Sequence, residues 1–240
     1  MPGLVAAAAA KRFPRGVADP GAARAFVRDR AGTVLALDLA TGEVLWRAGL
    51  GLRPLSVVGD VVVAARIARR NAIELVMLDA EDGRELRASE PLTLPDWAPA
   101  SLDDTPDYTL RTEEEGRTVV LRWTAQARYR GGAPPSPTVQ AAAEREASGA
   151  ARVDVDSGAV EPLPEPAVAP GPAGEPAAPS EPDVLEQADI GGTRFQLVVR
   201  DGAEGSVQTL IRAVDRGSGR TVWETVLDEA TRRRPRPPRP

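Results

Sequence analysis

The residues of this chain whose types could do chemistry are four aspartates, Asp38, Asp79, Asp154 and Asp215, and the acidic run Glu113 to Glu115. Carboxylates can serve as general acids or bases, and gathered together they can hold calcium. Here they would have to act without the usual helpers, because the 240 residues include neither His nor Cys. That excludes Ser-His-Asp and Cys-His nucleophilic arrangements, zinc held by His or Cys, iron–sulfur clusters and the commonest general base near neutral pH. Carboxylate, Lys, Tyr or cofactor chemistry remains, with Lys11 the only lysine.

Each of the four aspartates enters a turn, where a carboxylate has a structural use as an acceptor for backbone N–H groups. The Glu113–Glu115 run stands beside Gly116, as expected of a solvated turn. The stretch from Asp154 to Gly158 faintly resembles the start of a calcium loop. Its twelfth position, Glu165, falls in a Pro-rich stretch that cannot supply the helix of an EF-hand. The glycines of GLRPLSVVGD and DIGGTRF lack the order of a phosphate-binding loop. No catalytic, metal or cofactor-binding residue is assigned on these grounds.

The elements that would position any site follow from composition and repetition. Hydrophobic residues make up 42% and charged residues 27% of the chain, and the net charge is −5. These values suit a soluble globular chain with no global attraction to nucleic acid. No apolar run approaches the ~18–20 residues of a membrane-spanning helix. The N-terminal MPGLVAAAAAKRF lacks basic residues before its apolar run, so no signal peptide is expected and a cytoplasmic location is the default.

Ala36, Asp38, Gly42 and Trp46 stand in the spacing A-x-D-x-x-x-G-x-x-x-W. The same spacing returns as Ala213, Asp215, Gly219 and Trp223. Weaker copies lie between them, Asp79 with Gly83 and Arg87, and Asp154 with Gly158 and Pro162. β-forming residues run up to each Asp, Gly supplies the positive φ of the turn, and a second strand follows. Further strands are expected upstream at Ala25–Arg28, Leu55–Val58, Val61–Ile67, Thr118–Thr124, Val184–Ala188 and Arg194–Val199. Repeated antiparallel units with a hairpin at fixed offset describe propeller blades, whose repeats run about 40–50 residues.

These motifs resemble the pyrroloquinoline-quinone-type repeats of quinoprotein-like β-propellers. The resemblance implies an all-β fold of about four antiparallel blades, and that Trp46 and Trp223 dock between blades near the glycine-bearing turn of the adjacent motif. Because the family's rings have seven or eight blades, a partial ring or open arc is expected. The repeat domain is expected over residues 22–228, after a disordered or irregular segment 1–21 and before a basic Pro-rich tail 229–240. A solvated Pro-rich insertion is expected over residues 161–182.

The family includes both dehydrogenases and non-catalytic scaffolds. Trp97 and Trp123 lie outside the motif, with no Asn or carboxylate beside them in a quinone-binding pattern. The expectation is therefore a non-catalytic binding or scaffold module for a protein or polysaccharide partner, without cofactor; the alternative is a quinone-dependent dehydrogenase of alcohols or sugars. Unpaired apolar faces at the ends of an arc would favour self-association or a tightly bound protein partner.

Overall fold

The computed structural model describes residues 11–19, 21, 23–128, 136, 138, 144–164, 183–202 and 206–231. They form four antiparallel sheets. The first contains β1 (Lys11–Phe13), β2 (Gly16–Ala18), β3 (Arg24–Arg28), β4 (Val34–Asp38) and β5 (Val44–Ala48), in that spatial order. The second contains β6 (Leu52–Val58), β7 (Val61–Arg69) and β8 (Ala72–Asp79), with β9 (Glu85–Ala88) and β10 (Leu92–Thr93) both pairing with β8. The third runs β11 (Tyr108–Glu115), β12 (Thr118–Ala127), β13 (Arg145–Asp154), β14 (Val160–Leu163). The fourth runs β15 (Val184–Ile190), β16 (Thr193–Asp201), β17 (Ser206–Asp215), β18 (Thr221–Thr231).

Several expected boundaries are corrected. The segment expected to be irregular contains β1 and β2, because Phe13, Val17 and Ala18 are buried and β2 pairs with β3. Glu113 to Glu115 belong to β11 and not to a turn; their pairing with Val120, Val119 and Thr118 of β12 makes them part of a sheet. Strand β14 takes in Glu161 to Leu163, the start of the expected insertion, and Pro162 is accommodated because β14 lies at a sheet edge. Strand β18 continues through Glu229 to Thr231, where a tail was expected. The remaining insertion, 165–182, and tail, 232–240, lie outside the described residues.

The sheets do not follow one another around the arc in sequence order. One apolar cluster joins the fourth sheet to the first, through Phe13, Leu35, Leu37, Phe195, Ile211 and Trp223. A second joins the first to the second, through Phe26, Ala36, Val62 and Leu78. A third joins the second to the third, through Met77, Leu75, Val119 and Val153. The spatial order is therefore fourth, first, second, third. Among the described residues no apolar cluster joins the third sheet to the fourth, and the arc is open there.

The two end faces carry the chemical mark of that opening. Counting from each turn aspartate, the residues three before, one before and one after it face the preceding sheet of the arc. They are Leu35, Leu37 and Leu39 in the first sheet, Val76, Leu78 and Ala80 in the second, and Ala151, Val153 and Val155 in the third, all buried. In the fourth they are Arg212, Val214 and Arg216. On the opposite face the residue two before Asp is Ala36, Met77 or Ala213 in the sheets with a following neighbour, and Arg152 in the third.

The charges on these faces are paired within their own sheets. Arg194 and Arg216 reach Asp189 at 3.0 and 3.7 Å, and Arg200 and Arg212 reach Glu224 at 2.7 and 2.9 Å. Burial works against ionisation of Glu224, yet hydrogen bonds from Arg212 and Arg200 hold its carboxyl below the ordinary range. On the third sheet Arg122 pairs with Glu113, and Arg152 with Glu115 and Glu161, each at 3.3 Å. The expected apolar character is retained in part: on the open face of the fourth sheet Val184, Val198 and Leu210 form a buried cluster with Val226 exposed beside it. The open face of the fourth sheet thus mixes paired charges with apolar side chains.

Candidate functional site

The motif residues occupy inter-sheet joints built the same way twice. Gly42 has φ of 76° and Gly83 φ of 76°, so each turn uses a backbone conformation that side chains disfavour. Trp223 of the fourth sheet lies over Gly42 of the first, so closely that a Cβ there would be 2.6 Å from the indole. Trp46 of the first sheet lies over Gly83 of the second, where the corresponding distance is 2.5 Å. Both indoles donate a hydrogen bond to the carbonyl just after the turn aspartate, Trp223 Nε1 to Leu39 at 3.0 Å and Trp46 Nε1 to Ala80 at 3.2 Å. Phe195 and Phe26 flank the two rings at centroid distances of 5.8 and 5.7 Å.

Where the motif has decayed, the joint changes. Gly158 faces the Ala88 carbonyl and Met77 of the second sheet instead of an indole. At Gly219, on the open end of the fourth sheet, an added Cβ would meet no described atom within 4 Å. Ala36 and Ala213 are fully buried beneath their strands. Trp123 lies across its own sheet against Gly149, and Trp97 packs at the margin of the second–third cluster.

The aspartates are committed to their turns. Asp38 accepts hydrogen bonds from the N–H groups of Ala40 and Thr41, both at 2.8 Å, and from the Thr41 hydroxyl. Asp154 accepts from Ser157 N and Oγ at 2.7 and 2.6 Å, and Asp215 from Ser218 N and Oγ at 2.8 and 2.6 Å. Asp79 accepts from Glu81 N at 2.8 Å. Backbone donation from Thr41 lowers the Asp38 pKa, and hydroxyl donation from Ser157 and Ser218 lowers those of Asp154 and Asp215. Along β11, Glu113 and Glu115 pair with Arg122 and Arg152 of their own sheet, Glu113 also at the rim of a cleft on the inner side of the arc, while Glu114 meets Ser56 of the second sheet, so the three do not converge. Among the described residues no group of three or more His, Cys, Asp or Glu is placed to hold a metal ion.

The lowered aspartate pKa values have a defined consequence for stability. A carboxylate whose folded pKa lies below its unfolded one contributes stability above the unfolded value and loses it as pH falls through the folded one. Stability should therefore decline as the solution is acidified below the ordinary Asp range. Replacing Ser157 and Ser218 with Ala should lower stability at neutral pH and flatten that decline. Urea midpoints of wild type and double variant across an acid series measure both effects, and parallel curves would rule out the two hydroxyls as the source.

A different group of residues converges on the inner side of the arc, in a cleft of about 810 Å³. It is lined from all four sheets and their connections by Arg12, Arg15, Arg28, Arg30, Arg53 and Arg111, with Glu186 of β15 at one side. Arg53 is held at 2.8 Å by both the Leu102 carbonyl and Asp104. Arg28 pairs with Asp103, and Arg15 with Asp228 at 3.2 Å. Arg15 also donates its backbone N–H to Glu186 and has φ of 54°, the one positive value outside glycine among the described residues. Burial, and then the neighbouring Arg53 and Arg15, lower the Arg28 pKa. These arginines come from separate segments and form no linear motif. Sequence reading had only scattered basic residues and no signal that they share a cleft.

Sheets of four or five antiparallel strands joined by Trp-on-Gly docks define a quinoprotein-like β-propeller repeat protein, here in the form of a four-sheet open arc. A family model described as outer membrane protein assembly factor BamB matches residues 6–161, well over half of the chain, and the chain belongs to that family. No curated protein sequence matches it. Among solved structures, BamB from Moraxella catarrhalis is similar at 14% identity and a TM-score of 0.38, covering 88% of this chain and 62% of that one. An ACO/RPE65 chimera is similar at 11% identity and a TM-score of 0.33, covering 85% of this chain and 46% of that one. This chain thus spans less than two thirds of the length of either structure. Among the described residues no helix is long and apolar enough to cross a membrane.

Proposed function

We propose that the protein is a non-catalytic binding module that engages a protein partner. The observation carrying this reading is the commitment of its candidate catalytic groups to structure. All four turn aspartates accept hydrogen bonds from their own turns, and the cleft carboxylates Asp103 and Asp104 face arginines instead of one another. A quinone enzyme needs carboxylates free to bind a cation and take a proton, and catalysis must be argued from such a site and not from a fold. Membership of a family described as an assembly factor for other proteins supports a protein partner over a polysaccharide.

Isothermal titration with pyrroloquinoline quinone, with and without calcium, distinguishes the two classes. No saturable heat is expected under either condition. Stoichiometric binding together with alcohol-dependent dye reduction would replace the scaffold reading with the dehydrogenase one.

A further inference from the structure

We infer that the inner cleft is the partner site and that it takes an extended acidic segment of a protein. The inference rests on the protein-partner reading and adds a location and a chemistry to it. The arc presents two kinds of arginine surface. On the end faces, Arg122, Arg152, Arg194, Arg200, Arg212 and Arg216 are all engaged by carboxylates of the same sheet. An incoming anion would have to displace those carboxylates, so the end faces offer little to a charged partner.

The cleft differs. Its carboxylates are occupied: Asp103 by Arg28, Asp104 by Arg53, Glu113 by Arg122, Glu186 by the Arg15 N–H, and Asp29 by the Thr33 N–H at 2.8 Å. Arg12, Arg30 and Arg111 line the same cleft and are exposed, and their guanidiniums have no ion pair or side-chain hydrogen bond to a described residue, although Arg111 acts on the Asp104 carboxylate at longer range. They come from β1, the turn after β3, and β11, so they are spread across the arc and not stacked at one point. Planar guanidiniums offer paired donors that match carboxylate oxygens, and an array of them suits a chain carrying several carboxylates. The lining sets six arginines against five carboxylates, so its attraction for an anion rests on the three guanidiniums not held in pairs.

The test uses the full chain and a fluorescein-labelled eight-residue peptide of alternating Glu and Thr, followed by anisotropy. Wild type should bind saturably, and binding should weaken at least tenfold between about 0.05 and 0.5 M salt as the screening length shortens. The variant Arg12→Gln/Arg30→Gln/Arg111→Gln should bind at least tenfold more weakly than wild type at low salt. The variant Arg84→Gln/Arg87→Gln/Arg220→Gln removes the same charge from exposed positions outside the cleft and should change affinity less than twofold. Unchanged circular dichroism would show that both variants remain folded. Failure of wild type to bind, or equal weakening by the two variants, overturns the cleft assignment. Either outcome leaves the non-catalytic reading standing, because quinone titration tests that reading separately.

Discussion

Trp223→Ala should be among the most destabilising single substitutions in this protein, costing about 3–5 kcal/mol. The indole is buried between the first and fourth sheets, covers Gly42, contacts Phe195 and donates to the Leu39 carbonyl. Truncation removes the transfer energy of the ring, leaves a cavity beside a glycine that cannot fill it, and deprives the carbonyl of its donor. Trp46→Ala should cost nearly as much, since it breaks the same joint between the first and second sheets, although its ring is only partly buried. Trp97→Ala, at the margin of a cluster, should cost least. Urea unfolding of the three variants gives the order. Equal losses would mean that the repeated joint has no special role.

Gly42→Ala should be nearly as harmful despite adding a single methyl group. The new Cβ would lie 2.6 Å from the Trp223 ring at a φ of 76°. Overpacking of about 1–3 kcal/mol adds to about 1–2 kcal/mol for a left-handed backbone. Gly219→Ala provides an internal control, because its φ is 69° and the added methyl would meet no described atom within 4 Å. It should show the backbone cost alone. Combining Gly42→Ala with Trp223→Ala should cost less than the sum of the single changes, since removing the ring removes the clash. An additive double variant would show that the glycine is required for its φ and not for the dock.

That much of the design was legible in sequence because it is local. Asp at the turn entrance, Gly four residues on and Trp eight residues on form one hairpin, and the side-chain period of a strand fixes which of them share a face. The hydroxyl three residues after the aspartate, Thr41, Ser157 or Ser218, was a further readable sign of the turn's hydrogen bonding. The order of the sheets was less accessible. Nothing in a hairpin names the sheet it will pack against, so the contact between the first and fourth sheets had no local signature.

A comparison across repeats would nevertheless have exposed the ends. Positions that are Leu35, Val76 and Ala151 in three repeats become Arg212 in the fourth, and the position of Leu39, Ala80 and Val155 becomes Arg216. Those substitutions mark a face without an apolar neighbour. Strands β1 and β11 escaped for another reason: a short basic strand and a run of glutamates carry neither the apolar alternation nor the β-formers on which strand reading depends. Since the cleft is lined partly by these two strands, missing them also concealed the cleft.

The contact between Trp223 and the first sheet also governs the order in which the molecule can become complete. The residues joined there are 184 positions apart, as are few other hydrogen-bonded pairs in the molecule. Bringing them together closes a large loop, and the entropy of that closure must be met before the contact returns any stabilisation. During synthesis the apolar face of Leu35, Leu37 and Leu39 therefore exists long before the strand that covers it. A nascent chain ending before β15 would present this face uncovered, making it a natural target for chaperones and a point of vulnerability to aggregation.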